Sequence, residues 1–208
     1  EDVAITVTAT GYIKRTAITE YRCQRRGGRG RIGMRTREED VVNHLFVAST
    51  HSVLMVFSDR GRAYWLKVHE IPDVGADGRG KSIANLVNMA EGEKLAALLR
   101  VQEFPTEEGK RFIVMGTRQG TIKKTDLMAF SNVRNAGIIA LDLEEDDDLV
   151  FAGLSDGTQD ILVATRGGLS IRCAEDDVRP MGRTARGVKA IAIEEGDAVV
   201  DACVIAPE

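Results

Sequence analysis

The sequence has few of the residues that usually build metal centres or disulfide frameworks. It contains three cysteines and three histidines among 208 residues. The cysteines (Cys23, Cys173 and Cys203) form no Cys-x-x-Cys pair, and the histidines stand at no metal-ligand spacing. A zinc site or a disulfide scaffold is therefore not expected, and the pattern favours reduced thiols in a cytosolic protein.

Long hydrophobic runs are also missing. No apolar stretch approaches the ~20 residues that a membrane-spanning helix needs. The chain opens with Glu-Asp-Val, which is neither a signal peptide nor a methionine start, so we expect a piece of something longer. Hydrophobic content of 43% with 29% charged residues is typical of a soluble globular protein with a core, in one sizeable domain or two small ones.

An overall excess of positive charge is absent as well. The net charge is −4, which argues against a uniformly basic nucleic-acid binder. Residues 1–50 are nevertheless net basic, whereas residues 105–208 are net acidic. A local basic patch matters more for binding than the total charge.

What the sequence does have is a unit that occurs four times. A short apolar strand ends at a turn glycine, and a second strand follows. The turn glycines are Gly11, Gly61, Gly120 and Gly168. A second glycine stands 17 to 19 residues after the first in every copy, at Gly30, Gly80, Gly137 and Gly187. Such self-similarity at a fixed period indicates a repeat architecture.

Each copy is predicted to contain four strands. The third strand follows the second glycine, at 31–34, 82–86, 138–141 and 188–193. An acidic turn precedes the last strand, at 41–48, 95–101, 149–154 and 198–205. The period predicts an all-β, propeller-like array of four-stranded antiparallel blades in a single domain spanning 1–208, with blades at about 2–50, 51–104, 111–157 and 159–208. Tyr64 and Trp65 are expected to pack between blades; the alternative is that they stack on bases.

The first copy contains a loop that is dense in arginine and glycine. Seven arginines and no acid fall between Arg22 and Arg37, around the heptad Gln24, Arg25, Arg26, Gly27, Gly28, Arg29 and Gly30. A flexible loop rich in guanidinium groups can follow a phosphate backbone, because each arginine offers a planar fork of donors. The alternative is an ordinary solvated basic loop, or a disordered RGG-like segment.

Other basic residues recur in register with the repeat. Those on or just beyond the second strand are Lys14, Arg15, Arg62, Lys67, Lys123, Lys124 and Arg172. Those at or beside the second glycine are Arg29, Arg31, Arg79, Lys81, Arg134, Arg183, Arg186 and Lys189. Matched positions on successive blades predict a curved row of cations that would hold duplex DNA through its phosphates. Lysine and arginine on strand edges can also serve only to prevent aggregation.

Two local patterns suggest other chemistry. Residues 75–82 match the phosphate-binding pattern Gly-x-x-x-x-Gly-Lys-Ser, which would make Lys81 part of a nucleotide hydrolase. This stretch aligns with the second-glycine loop and is expected to lead into a strand instead of a helix, so we interpret the match as accidental. The acidic run Glu144–Asp148 lacks the spaced ligands of a calcium loop and is interpreted as a solvated turn.

The heptad Gln24–Gly30 resembles the GyrA box of the DNA gyrase A subunit. The repeats, beginning with Gly11-Tyr-Ile-Lys-Arg-Thr16, resemble the C-terminal domain of that family across the whole chain. The resemblance implies a β-pinwheel, a propeller-like fold with its own strand connectivity, which wraps DNA around its basic rim. It also implies that Gln24, Arg25, Arg26, Gly27, Gly28, Arg29 and Gly30 are required for wrapping and for negative supercoiling.

The same resemblance implies a bacterial, cytoplasmic, nucleoid-associated protein that acts with the rest of the A subunit and the B subunit in an A2B2 complex. Nothing in the sequence matches the breakage-reunion domain with its catalytic tyrosine or the ATPase subunit, so ATP and magnesium are expected to belong to the holoenzyme. Family domains usually have six blades, and four are visible here, so a truncated domain is expected, with a shorter domain as the alternative. The alternatives are a topoisomerase IV C-terminal domain, whose box is usually degenerate, and a protein-interaction propeller.

Overall fold

The computed structural model describes residues 1–132 and 134–207. Positions 133 and 208, which fall in the third and fourth predicted blades, lie outside the described residues. Within the described part, the strands form four antiparallel sheets, so the predicted all-β class is confirmed. The other regular elements are one helical turn, α1 (Ile83–Leu86), and short 3₁₀ turns at Ile18–Glu20, Val68–Glu70, Leu127–Phe130 and Glu175–Asp177.

The sheets follow one another along the chain, and within each sheet the strands are hydrogen-bonded in the order named. Sheet 1 contains β3 (Val42–Ser49), β1 (Asp2–Thr8), β2 (Tyr12–Ala17) and β6 (Lys81–Ser82). Sheet 2 contains β10 (Ile138–Ile139), β5 (Arg62–Lys67), β4 (Val53–Ser58) and β7 (Leu95–Val101). Sheet 3 contains β11 (Leu149–Ser155), β8 (Phe112–Thr117), β9 (Thr121–Asp126) and β14 (Val188–Lys189). Sheet 4 contains β13 (Ser170–Ala174), β12 (Asp160–Thr165) and β15 (Val199–Ile205).

The predicted turn glycines close the first hairpin of every repeat. Gly11 has a φ of +87°, and its amide donates to the Thr8 carbonyl at 3.0 Å. The other three glycines make the corresponding bond at 3.0–3.1 Å. The acidic turn lies against this hairpin, because Asp40 accepts from the Thr10 amide at 3.0 Å and Asp147 accepts from the Gln119 amide at 2.9 Å. The carboxylates thus accept hydrogen bonds from turn amides that have no partner within the sheet.

The third strands of the second, third and fourth repeats do not join their own sheets. Lys81–Ser82 of the second repeat pairs with Ile13–Tyr12 of the first, and the same exchange joins β10 to β5 and β14 to β9. The prediction that each repeat forms its own four-stranded blade is therefore wrong in this respect. Each of sheets 1 to 3 is completed by the following repeat.

The exchanged strands are also shorter than the sequence predicts. After two paired residues the chain bends over the hairpin of the preceding repeat. There the Ala140 amide donates to the Gly61 carbonyl at 2.8 Å, and the Ala190 amide donates to the Gly120 carbonyl at 2.9 Å. In the second repeat the Ile83 amide donates to the Gly11 carbonyl at 2.8 Å, and Ile83 is the first residue of α1. Predicted strand 82–86 is thus mainly a helical turn, and 31–34 forms no strand.

The second glycine is needed where the exchanged strand meets its acceptor. Gly80 has a φ of +79°, and a Cβ atom there would overlap the Ile13 carbonyl oxygen. Residues other than glycine rarely adopt this conformation, and here they would also lack space. This packing accounts for Gly80, the second glycine of the phosphate-loop pattern at 75–82, without a nucleotide.

The core is divided among three junctions between neighbouring sheets. Ile5 and Val7 of sheet 1 pack with Leu54 and Val56 of sheet 2. Similar clusters join sheets 2 and 3 and sheets 3 and 4. Among the described residues no core cluster joins sheet 1 to sheet 4. Sheets 2, 3 and 4 contact each other mainly through β7, β11 and β15, so these strands form the inner side of an arc. The exchanged strands β6, β10 and β14 stand at the opposite edge of sheets 1 to 3 and so lie at the outer edge of the arc.

Candidate nucleic-acid interface

The outer edge of the arc carries exposed cations. Arg79 and Lys81 lie at the exchange between sheets 1 and 2, and Arg134 precedes the exchange between sheets 2 and 3. All three side chains are exposed, and none forms a hydrogen bond or an ion pair with another described residue. Unpaired cations on an outer edge are available for phosphate oxygens.

The basic loop of the first repeat is anchored on its C-terminal side. Arg31 donates to the Glu20 carbonyl at 2.7 Å, Met34 is buried, and the Arg37 guanidinium lies 5.2 Å from the centre of the Tyr12 ring. Arg35 forms an ion pair of 3.3 Å with Asp77, two residues before Arg79. These contacts bring the loop beside the exchange between sheets 1 and 2. The sequence predicted Arg31 as a DNA contact and pointed to Arg35 and Arg37 only as part of a basic run.

The heptad itself projects from this anchored base. Residues 24–30 are all exposed, and a turn bond joins the Gly28 amide to the Arg25 carbonyl at 3.0 Å. The side chains of Arg25, Arg26 and Arg29 form no hydrogen bond or ion pair within the described part of the chain. Together with Arg79 and Lys81 they form a basic surface, which we call the rim patch.

Three predicted DNA contacts are instead buried. Lys14 and Lys123 are fully buried and Lys124 is 4% exposed. The Lys14 amine donates to the carbonyls of Gly75 (3.0 Å) and Ala76, and that of Lys123 donates to the carbonyls of Ala140 (2.7 Å) and Arg183. Because no phosphate can reach these amines, the structure corrects the prediction for all three lysines.

Their recurrence has a different cause, since donors on the second strand join neighbouring repeats. Arg15 donates to the Ile71 carbonyl at 2.8 Å, and the Trp65 indole donates to that of Phe130 at 3.1 Å. The Lys124 amine in turn donates to the Glu175 carbonyl at 3.1 Å and lies 3.7 Å from the carboxylate of that residue. Each side chain thus reaches the 3₁₀ turn of the next repeat, or the residue just after it. The expectation that Trp65 packs between blades is confirmed.

Tyr64 takes the place of the buried lysine in the second repeat. It lies in the core between sheets 1 and 2, as expected, and its hydroxyl donates to Glu93 at 2.6 Å. Burial and the Glu93 carboxylate raise the pKa of Tyr64 to about 12.

The other predicted contacts are accessible to different degrees. Arg62 is half-buried and donates to the Ala136 carbonyl at 3.3 Å, whereas Lys67 is exposed and has no described partner. Arg172 and Arg186 are exposed, but they pair with Asp160 at 2.7 Å and with Asp142 at 3.0 Å. These two arginines would have to share or leave a carboxylate to contact a phosphate.

Lys123 makes the stability of the protein depend on pH. Burial, with the nearby Arg183 charge, lowers the pKa of Lys123 from 10.5 to about 8, and Asp142 offsets only part of this. Between these values the unfolded chain binds more protons than the folded protein, so unfolding free energy should rise as pH increases from about 8 to 10.5. Urea unfolding at several pH values measures this pH dependence of the unfolding free energy. We expect Lys123→Met to lose this rise and the exposed control Lys81→Met to keep it.

The described residues contain neither a metal centre nor a membrane helix. Within residues 1–132 and 134–207, no group of three His, Cys, Asp or Glu side chains could hold a metal ion. The same residues contain no helix long and apolar enough to cross a membrane. The acidic run ends in a turn in which the Asp148 carboxylate accepts from Arg118 at 3.1 Å.

A family model described as "DNA gyrase C-terminal domain, beta-propeller" matches the chain four times. The matched segments are residues 2–49, 52–102, 111–156 and 159–205. Each segment contains one of the four repeats. Together they cover most of the chain.

Curated proteins with similar sequences include DNA gyrase A subunits. That of Salmonella typhimurium is 42% identical over 200 residues, which cover 96% of this chain and 22% of the relative. That of Clostridium acetobutylicum is 44% identical over 189 residues, which cover 91% of this chain and 22% of the relative. The chain thus spans about a fifth of the length of these relatives.

Solved structures show the same fold. The C-terminal domain of DNA topoisomerase IV aligns with a TM-score of 0.81 at 27% identity, covering 100% of this chain and 62% of that one. A DNA gyrase A C-terminal domain aligns with a TM-score of 0.76 at 22% identity, covering 98% of this chain and 65% of that one. The predicted propeller-like architecture is therefore confirmed.

Proposed function

The chain belongs to the DNA gyrase A C-terminal domain family, and from this premise we propose that it binds duplex DNA along its outer edge and wraps it around the arc. The observation that carries the proposal is the rim patch. It places unpaired arginine and lysine side chains on the anchored loop and on the first exchanged strand. Arg134 continues the row at the next exchange.

Phosphate contacts suit this surface better than contacts with bases. The side chains of the patch are long, exposed and carried by loops or by a two-residue strand. No recognition helix or paired ribbon projects from the outer edge of the described chain, as reading a major groove would require. Binding should therefore depend on salt and vary little with sequence.

The proposal predicts a smaller salt dependence when one phosphate contact is removed. We expect Lys81→Ala to reduce the slope of log affinity against log salt concentration by roughly 0.9, the value for one phosphate on B-DNA. Fluorescence anisotropy with a duplex at several salt concentrations measures the slope. Arg118→Ala, which removes a cation paired with Asp148 near the first hairpin, is the control and should leave the slope unchanged. Equal slopes for Lys81→Ala and the unmodified protein would contradict a contact at Lys81.

In the complete protein we propose that this domain is non-catalytic and supplies the wrapped segment on which negative supercoiling depends. The breakage-reunion region of the A subunit, the B subunit in an A2B2 complex, ATP and magnesium would provide the reaction. The protein would act in the bacterial cytoplasm, on the DNA of the nucleoid. Identities above 40% to gyrase A subunits and an intact heptad favour gyrase over topoisomerase IV.

A protein-interaction propeller is the other candidate function. Such a protein would use loops around the centre of the array, whereas the unpaired cations here lie at the outer edge. A gel shift with duplex DNA at two salt concentrations distinguishes the two functions. Absence of a shift at low salt would reject the DNA proposal.

A further inference from the structure

A buried lysine of the first repeat holds the turn that precedes Arg79. Residues 75–78 form this turn, which is closed by a bond from the Gly78 amide to the Gly75 carbonyl at 2.8 Å. The Lys14 amine donates to the same carbonyl at 3.0 Å and also to the carbonyl of Ala76. Both Lys14 and Ala76 are buried. A charged donor beneath the turn therefore fixes its backbone three residues before Arg79.

A second side chain of β2 holds the start of the same segment. The Thr16 hydroxyl donates to the Val74 carbonyl at 3.2 Å. Beyond the turn, the exchanged strand β6 pairs with the beginning of β2. The segment is thus attached to the first repeat on both sides of Arg79, and the arginine stands between the attachments.

The lysine contact recurs in the third repeat. The Lys123 amine donates to the Arg183 carbonyl, as the Lys14 amine donates to that of Ala76. Both acceptors stand four residues before the second glycine of the following repeat. In the repeat between them the equivalent residue is Tyr64, whose hydroxyl donates to Glu93 of its own repeat at 2.6 Å. The attachment of the following loop therefore depends on the lysine.

Attachment of this turn matters for the rim patch. A loop that is free before binding loses conformational freedom when it contacts a partner, and this loss lowers affinity. The turn at 75–78 is already held, and the exposed side chains of Arg79 and Lys81 follow it directly. Asp77 of the same turn pairs with Arg35 at 3.3 Å, so the turn also supports the loop that carries the heptad.

We propose that Lys14 is a positioning residue for DNA binding. It holds the turn at 75–78 in one arrangement before DNA arrives, and so presents Arg79 and Lys81 to the phosphates. Lys14 itself touches no DNA, because its amine is buried under the turn. The inference rests on the function proposed above, and it assigns to a buried amine an effect on affinity that no contact with DNA could give it.

DNA affinity of Lys14→Met at several salt concentrations tests this role. Fluorescence anisotropy with a duplex should show roughly tenfold weaker binding, because two long side chains and their turn must then be ordered on binding. The slope of log affinity against log salt concentration should stay unchanged, because Arg79 and Lys81 still reach the phosphates in the complex. A lost contact, as in Lys81→Ala, lowers the slope instead.

The same substitution in a chain that carries both Arg79→Ala and Lys81→Ala gives the sharper result. We expect Lys14→Met to have no further effect on affinity there, because the side chains that it positions are gone. An effect of the lost charge, or of a general loosening of the fold, would persist in this background. The comparison therefore separates positioning from a purely structural role.

Tyr64→Phe is the matched control. It removes a buried hydrogen bond at the equivalent position of the second repeat, where the bond does not attach a following loop, and should leave DNA affinity unchanged. Hydrogen–deuterium exchange without DNA gives an independent measurement. The amides of residues 75–81 should exchange faster in Lys14→Met than in the unmodified chain, and equally fast in Tyr64→Phe.

These measurements distinguish the positioning role from the proposed function. An unmodified chain that does not bind duplex DNA rejects the function, and the positioning role with it. A chain that binds DNA while Lys14→Met keeps full affinity, or loses the same factor in the doubly substituted background, would overturn the positioning role alone. If circular dichroism shows that Lys14→Met is not folded, Thr16→Val replaces it and should give a smaller loss of affinity with the same dependence on background.

Discussion

Replacing Arg25, Arg26 and Arg29 together with alanine is expected to abolish DNA wrapping and to leave the fold intact. The three side chains are exposed and form no hydrogen bond or ion pair within the described residues, so their loss removes no such interaction. Up to three phosphate contacts would disappear, and the salt slope would fall by roughly 0.9 for each contact. The change in linking number after ligation of a nicked circle, at equal bound protein, measures the wrap.

A charge-matched control separates this effect from the loss of positive charge alone. Arg60, Arg118 and Arg166 lie beside the first hairpins, where their guanidinium groups contact acidic turns. Replacing these three with alanine changes the net charge equally and should preserve most of the topological change. A full topological change with the heptad variant would refute the central role proposed for the heptad.

Substituting Gly80 by alanine is expected to destabilise the protein more than any of the other substitutions named above. The new residue would have to adopt a φ of +79°, and its Cβ would overlap the Ile13 carbonyl. The left-handed conformation costs about 1 kcal/mol and crowding in a packed junction costs about 2 kcal/mol more. For a chain of this size, such a loss lowers the melting temperature by roughly 6–12 °C.

The same substitution at Gly30 provides the matched comparison. It falls at the equivalent position of the first repeat, where an added Cβ meets nothing. Its effect on the stability of the monomer should lie within about 0.5 kcal/mol. Differential scanning calorimetry of both variants measures the contrast. Similar melting temperatures for the two would mean that the exchanged strand does not require glycine.

The sequence was sufficient to predict the repeat, the turn glycines and the all-β class, because each depends on a local pattern that occurs four times. It could not predict the strand exchange, because a two-residue segment pairs equally well with its own sheet or with the preceding one. The choice depends on how neighbouring sheets pack. Gly80 stands at the exchange, but the sequence does not show why a glycine is needed there. The reason is the close approach of the Ile13 carbonyl, which belongs to the preceding repeat.

The candidate site was predicted in part for a similar reason. The heptad was recognisable because it lies in a run from Arg22 to Arg37 with seven arginines and no acid, and such a run is exposed in almost any fold. The prediction that Lys14 and Lys123 contact DNA is wrong, because basic residues that recur in register with a repeat need not be exposed. Here a loop of the following repeat covers each amine and supplies carbonyl acceptors. Only the tertiary structure shows that these lysines join repeats.

Strand exchange also affects how such a protein can change its number of repeats during evolution. A duplicated repeat inserted between two others would give its third strand to the repeat before it and receive one from the repeat after it. No existing pairing would need a new type of partner. A cut between repeats, by contrast, removes a strand from the sheet before it, so boundaries drawn from sequence similarity do not coincide with units that can be separated. The domain can therefore grow in the middle more easily than it can be shortened at an arbitrary repeat.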